Sequence, residues 1–148
     1  MYKHILVAVD GSETSNLALR EAIRLAKHHQ ATLRLVHVVD ETPAVVAADA
    51  PYLLDYQKAS REAGQEVLST CGAIVGEGGM QADTKLHIIE TLNQHTYDAI
   101  EEEAERWPAD LIVVGTHGRR GIRHFILGSV AEGLIRIATR PVLLIRGT

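Results

Sequence analysis

Gly115, Gly118, Gly128 and Ser129 carry the spacing in this chain that could do chemistry, the pattern G-x2-G-x9-G-[ST]. Gly115-Thr116-His117-Gly118 follows the apolar run Leu111-Ile112-Val113-Val114, and Gly128-Ser129 precedes a helical pattern that starts at Val130. A strand, a glycine-punctuated loop and a helix N-terminus together can hold phosphate. The first turn of a helix leaves backbone N–H groups without partners. Glycine removes the Cβ that would keep an anion away, and it reaches φ > 0 freely. The competing reading is a glycine-rich loop that serves only the fold.

The stretch between Gly115 and Gly128 also holds Arg119, Arg120 and Arg123, with His117 and His124 and no acid. In a chain of formal net charge −4, this local positive field favours a polyanion such as a nucleotide triphosphate. A solvated basic loop would look the same. Ser129 is placed to meet a phosphate with its hydroxyl, or to cap the last helix. A second candidate loop is Asp10-Gly11-Ser12, after the first apolar run. Asp10 could accept a hydrogen bond from a sugar hydroxyl or hold a metal ion, and it suits a turn or capping role equally well. Ser12 reads as the N-cap of the first helix, which does not exclude a phosphate contact.

Missing signatures narrow the chemistry. There is no G-x-x-x-x-G-K-[ST], and no G-x-G-x-x-G follows the first strand. Neither G-x-S-x-G nor H-E-x-x-H occurs, and no nucleophile–base–acid triad can be assembled. The eight histidines lack metal-ligand spacing; His28-His29, at a helix end, suit contacts with its last carbonyls. The residues favour binding over catalysis.

Elements must position these loops. Residues 5–9 form a short apolar run, as in a strand buried on both faces. A helix follows to about His29, with Ala18, Ala22, Leu25 and Ala26 on one stripe and Arg20, Glu21, Arg24 and Lys27 opposite. Residues 32–39 predict a second strand, 40–51 a loop, and 52–74 a helix closed by Gly76-Glu77-Gly78-Gly79. Alternation at Ala82, Thr84, Leu86 and Ile88 predicts a third strand. Residues 97–107 form an acidic helix stopped by Pro108, whose Glu101, Glu102, Glu103 and Glu105 read as a solvated face. Residues 111–114, 129–138 and 142–145 predict a fourth strand, a last helix and a final strand. Gly133 inside that helix should cost about 1 kcal/mol relative to alanine, which points to close packing.

Strands alternating with helices imply right-handed βαβ units, hence an α/β fold with a mainly parallel sheet covered on both faces. With no linker, repeat or low-complexity segment, residues 1–148 read as one domain. In such sheets ligands bind at the carboxyl ends of strands, where the strand order reverses. If strands one and four are neighbours, the two candidate loops face one crevice.

Composition excludes other classes. With 46% hydrophobic and 23% charged residues, the chain can bury a substantial core as a soluble globular protein. Its acidic balance argues against binding nucleic acid. No apolar run is long enough for membrane insertion, and the N-terminus enters a strand without a signal-peptide core. Cys71 is the sole cysteine, which excludes an intrachain disulfide and predicts a reducing, cytoplasmic setting with an inert, partly buried thiol.

Three segments resemble the universal stress protein family: Lys3-His4-Ile5-Leu6-Val7-Ala8-Val9-Asp10-Gly11-Ser12; Ala109 to Arg119 with Leu127-Gly128-Ser129-Val130-Ala131-Glu132; and Arg140-Pro141-Val142-Leu143-Leu144-Ile145. The glycine pattern is that of the family's ATP-binding branch. The resemblance implies an adenine-nucleotide alpha-hydrolase-like fold, an open parallel five-stranded sheet of order 3-2-1-4-5 with the nucleotide at the switch between strands one and four. Carried over by position, Ala8, Val9, Asp10 and Val38 would line the adenine and ribose end, continued by Val114 and Gly115. Gly118, Gly128, Ser129 and Val130 would hold ribose and phosphates, with Ser12 and Arg119 completing the set. Asp10 would approach Mg²⁺ or Mn²⁺ carried by ATP. Gln94-His95-Thr96 departs from the Gly-Asp-Pro-like turn common in the family, so no contact is carried over there.

The function so implied is an ATP-binding regulatory module of the stress response, a homodimer through residues 142–145 whose nucleotide state alters contacts with a protein partner. Two alternatives stand beside it. One is a slow Mg-dependent ATPase, for which no base for water is evident. The other is a ligand-free dimeric interaction protein.

Overall fold

The computed structural model describes residues 1–42, 52–117 and 127–147. In chain order the elements are β1 (His4–Ala8), α1 (Glu13–His29), β2 (Thr32–Asp40), α2 (Leu53–Glu77), β3 (Ala82–Ile89), α3 (Thr96–Arg106), β4 (Leu111–Gly115), α4 (Ser129–Ile137) and β5 (Val142–Ile145). The strands form one five-stranded sheet of order β3-β2-β1-β4-β5. Every pairing is parallel, with Val7 of β1 between Leu35 of β2 and Val113 of β4. The order reverses between β1 and β4, so the loops after these strands do open side by side.

Successive residues of a strand face opposite sides of a sheet, and both sides here are covered. Ile5, Val7, Leu33, Leu35, Leu111 and Val113 pack with Ala18, Leu19 and Ala22 of α1 and Val67, Leu68 and Cys71 of α2. Leu6, Val36, Ile112 and Val114 pack with Ile100 and Ala104 of α3 and Leu134 of α4. Burial on both faces is why β1 and β4 read as unbroken apolar runs rather than alternating ones. Each fully buried Leu or Ile contributes about 1.5–3 kcal/mol relative to an exposed one.

Several local expectations are corrected. Helix α2 runs through Gly76 to Glu77, because one glycine costs a helix only about 1 kcal/mol and does not by itself end it. The turn comes at Gly78 and Gly79, where Gly79 takes φ 77° and donates its N–H to the Gly76 carbonyl at 2.9 Å. At the end of α1 the carbonyls of Ala26 and Lys27 are met by the backbone N–H groups of Gln30 and Ala31, not by histidines. The His29 ring instead packs edge-on against Tyr2 and His28. Residues 43–51, most of the expected loop, lie outside the described residues.

The acidic face of α3 is not wholly solvated. Glu105 is exposed and Glu102 half-buried, held by Gln94 and Arg106, but Glu103 and Glu101 are only 2% and 8% exposed. Glu103 accepts from Arg34 of β2 at 2.7 Å, and the Arg34 guanidinium lies over the Trp107 ring. Glu101 accepts from the backbone N–H and hydroxyl of Thr139 at 3.1 and 2.8 Å, with Arg140 at 3.4 Å. Buried carboxylates are tolerated only when paired in this way. Glu101 thereby ties α3 to the turn that leads into β5.

Candidate nucleotide site

The turn after β1 is built by three short side chains. Gly11 sits at φ 81°, a conformation that strongly favours glycine. Asp10 Oδ1 accepts from the Ser12 N–H at 2.9 Å, and the Ser12 hydroxyl accepts from the Ser15 N–H at 3.2 Å, capping α1. The Ser15 hydroxyl in turn accepts from the Asp10 N–H at 3.0 Å. The expected capping role of Ser12 is therefore met, and the Asp10 carboxylate is fixed at the mouth of the β1–β4 crevice.

The second loop closes differently from expectation. Gly128, not Ser129, is the N-cap of α4; it is extended (φ −63°, ψ 156°) and its carbonyl accepts from the Glu132 N–H at 2.9 Å. Ser129 is already the first helical residue, so its hydroxyl is not spent on a cap. The Gly128 N–H donates to the Thr116 carbonyl at 2.7 Å, and a Cβ on Gly128 would lie 2.8 Å from that same oxygen. A Cβ on Gly115 would lie 2.9 Å from Thr14 Cγ2 and 3.1 Å from the Thr14 carbonyl carbon. Neither Gly115 nor Gly128 has positive φ. Both are glycine because backbone passes close by, and conformational freedom is not the reason. The N–H groups of the first turn of α4, at Ser129, Val130 and Ala131, have no intrahelical partner, and among the described residues no side chain caps them.

Between these loops lies a cavity of about 460 Å³. Ala8, Val9, Asp10, Val38, Val114, Gly115, Gly128, Ser129 and Val130 all line it. Ser12, at its capping post, is not among the lining residues. Gly118 and Arg119, with Arg120, Arg123 and His124, lie outside the described residues. The cavity also takes Thr116, His117, Leu127 and Ala131, which the sequence placed in the motif segments without a contact of their own, and Ser15, Val36, His37, Thr96 and Ile100, which it did not offer as site residues. Thr96 begins α3 just after His95, whose backbone N–H donates to Asp98 Oδ2 at 2.8 Å. A polar residue opening a helix that faces the switch point was the available signal for it.

The cavity has two chemical ends. Val36, Val38, Ile100 and Ala8 give an apolar wall, with Thr96 on the same helix as Ile100; the N-terminus of α4, Ser129 and His117 give a polar one. A volume of this size matches small-molecule sites. Asp10 is the one acidic residue among the described lining residues. Among the described residues no group of three or more His, Cys, Asp or Glu could hold a metal ion by itself. On the opposite side of β1, burial pushes the Cys71 thiol up, helped by the Asp10 charge, which makes it a poor nucleophile. Among the described residues no helix is long and apolar enough to cross a membrane.

Comparison with known proteins agrees with this geometry. The Universal stress protein family matches residues 1–146. A universal stress protein of Methanocaldococcus jannaschii is 37% identical over 147 residues, covering 99% of this chain and 83% of its own. The structure of a universal stress protein from Lactobacillus plantarum has a TM-score of 0.80 at 28% identity, covering 98% of each chain. A universal stress protein from Archaeoglobus fulgidus, solved in complex with dAMP, has a TM-score of 0.69 at 26% identity, covering 97% of this chain and 98% of that one.

Proposed function

The chain belongs to the universal stress protein family, and from that membership we propose that residues 1–148 work as one ATP-binding domain of a regulatory, stress-response kind. The observation that carries this reading is the two-ended cavity at the β1–β4 switch point. Its apolar wall suits an adenine ring. Its other end offers free N–H groups at a helix N-terminus, where the macrodipole favours phosphate. The relative solved with dAMP supports an adenine nucleotide as the class of ligand. The glycine spacing Gly115, Gly118, Gly128 and Ser129 supports the choice of ATP within that class.

Asp10 is the residue that would approach Mg²⁺ or Mn²⁺ bound to the triphosphate. One carboxylate at the mouth, with phosphate and water supplying the other ligands, is how Mg²⁺ is usually held. What such a cation supplies is charge neutralisation of the phosphates. The backbone of α4 orients them, and Val38 and Ile100 keep water from the base.

The homodimer belongs to the same proposal. Among the described residues strand β5 pairs with β4 on one side only, and its four residues are all half-buried. A free edge of this kind is a template for a second copy. Native mass spectrometry of protein purified without added nucleotide tests the proposal as a whole. A dimer mass carrying one adenine nucleotide per chain is the expected result. A ligand-free chain that also fails to take up added ATP would overturn it.

A further inference from the structure

We propose that His37 is a positioning residue for the base of the bound nucleotide: its imidazole takes the Val9 carbonyl at the end of β1 and so keeps the N–H and C=O of Val38 for the base. This rests on the nucleotide reading above and gives that site a residue that acts through its neighbours.

Strand β2 outlasts β1. The pairing of His4 with Thr32 through Ala8 with Val36 stops where β1 ends, while β2 runs on to Asp40. Val9 extends the register by half a step, because its N–H donates to the Val36 carbonyl at 2.9 Å. In a regular parallel ladder its carbonyl would then accept from the Val38 N–H. Among the described residues that carbonyl accepts from no backbone N–H, and His37 Nδ1 lies 2.7 Å from it instead. A carbonyl can only accept, so Nδ1 carries a proton and donates. The imidazole has replaced a backbone amide.

Helix α2 leaves room for the half-buried ring at Gly64. A Cβ there would lie 3.1 Å from His37 Cδ2 and 2.7 Å from Leu86 Cδ1. Backbone groups alternate along a strand, so Val38 turns its N–H and C=O to the same side as Val36, toward β1. The residues between them serve β3, as the bond from the Glu41 N–H to the Ile89 carbonyl shows. Past Ala8 no strand among the described residues stands opposite Val38 on the β1 side, and Val9, His37 and Val38 all line the cavity. A donor and an acceptor side by side, next to the apolar wall of Val36 and Ile100, suit a flat ring that carries an acceptor nitrogen beside an amine. Adenine presents that pattern.

Hydrogen exchange read by NMR on the full chain tests the device itself. Without nucleotide, the Val38 amide should exchange at least about tenfold faster than the Val36 amide, and ATP should slow it at least about tenfold. In His37→Leu without nucleotide it should already be slow, because it falls back on the Val9 carbonyl. Equal protection of Val36 and Val38 in the natural chain without nucleotide would overturn the assignment. Calorimetric titration with ATP and with purine riboside triphosphate, which lacks only the amine, tests the consequence for binding. Loss of the amine should weaken binding at least about fivefold in the natural chain and by no more than about twofold in His37→Leu. His37→Asn, whose side-chain N–H can stand in for Nδ1–H, should restore the difference. An equal difference in the natural chain and in a folded His37→Leu would overturn the role of His37 while leaving the nucleotide reading intact. No binding of either nucleotide to the natural chain would remove both.

Discussion

Gly133 of α4 meets the ring of Tyr97 of α3 so closely that a Cβ on Gly133 would lie 2.5 Å from Tyr97 Cε1 and closer still to Cδ1 and Cγ. The Tyr97 ring stacks in turn on His95, at 4.9 Å between centroids. This contact sets the approach of the two helices whose N-termini, at Thr96 and Ser129, border the cavity.

Gly133→Ala should therefore destabilise the protein by about 1–3 kcal/mol, although alanine is the better helix former, because overpacking outweighs propensity. Tyr97→Ala should cost stability alone yet relieve the overlap when combined with Gly133→Ala. A double-mutant cycle in urea measures this coupling, and additive effects would show that the two residues do not constrain each other.

Two glutamates of one helix separate a structural charge from a surface one. Glu103→Ala leaves Arg34 with the more distant Asp83, at 3.6 Å, and should cost about 1–3 kcal/mol, the range for breaking a buried pair discounted for that second partner and for the partial exposure of Arg34. Glu105→Ala, on the exposed side of α3, should stay within about 0.5 kcal/mol. Similar unfolding midpoints for the two variants would contradict the buried-pair assignment.

His87 on β3 gives the fold a pH dependence of known sign. Burial lowers its pKa from 6.5, only partly countered by Glu102 and Glu103, and its Nε2 lies 3.8 Å from Glu102 Oε2. The unfolded chain takes up this proton first as pH falls. Stability is thus unaffected above the unfolded value and declines below about 6.5. Melting temperatures between pH 7.5 and 5 should fall more steeply in the natural protein than in His87→Leu. Parallel curves would rule out the histidine as the source.

Most of the architecture was legible because β1 and β4 are buried on both faces and so are continuously apolar, and because α1 carries a clear stripe at Ala18, Ala22 and Ala26. The lining of the cavity was legible where chemistry and backbone coincide, at Asp10, Gly115, Gly128 and Ser129. What escaped depends on residues distant in sequence. Glu103 looks solvated until Arg34, 69 positions away, folds against it. Val36 and Ile100 read as ordinary core residues and become part of the cavity wall only when β2 and α3 meet. Ser129 was a fair candidate cap, yet Gly128, held by Thr116, took that position. Gly133 pointed to close packing, and the structure supplied the partner, the Tyr97 ring.

The most direct test of the nucleotide site is calorimetric titration of ATP into the natural protein and into Gly128→Val. The side chain of that variant would meet the Thr116 carbonyl and displace the N-cap of α4. The account predicts saturable binding of ATP to the natural chain with Kd below about 1 mM, and at least about tenfold weaker binding to a still-folded Gly128→Val. Equal affinity in the two proteins, or no binding to the natural chain, would contradict it.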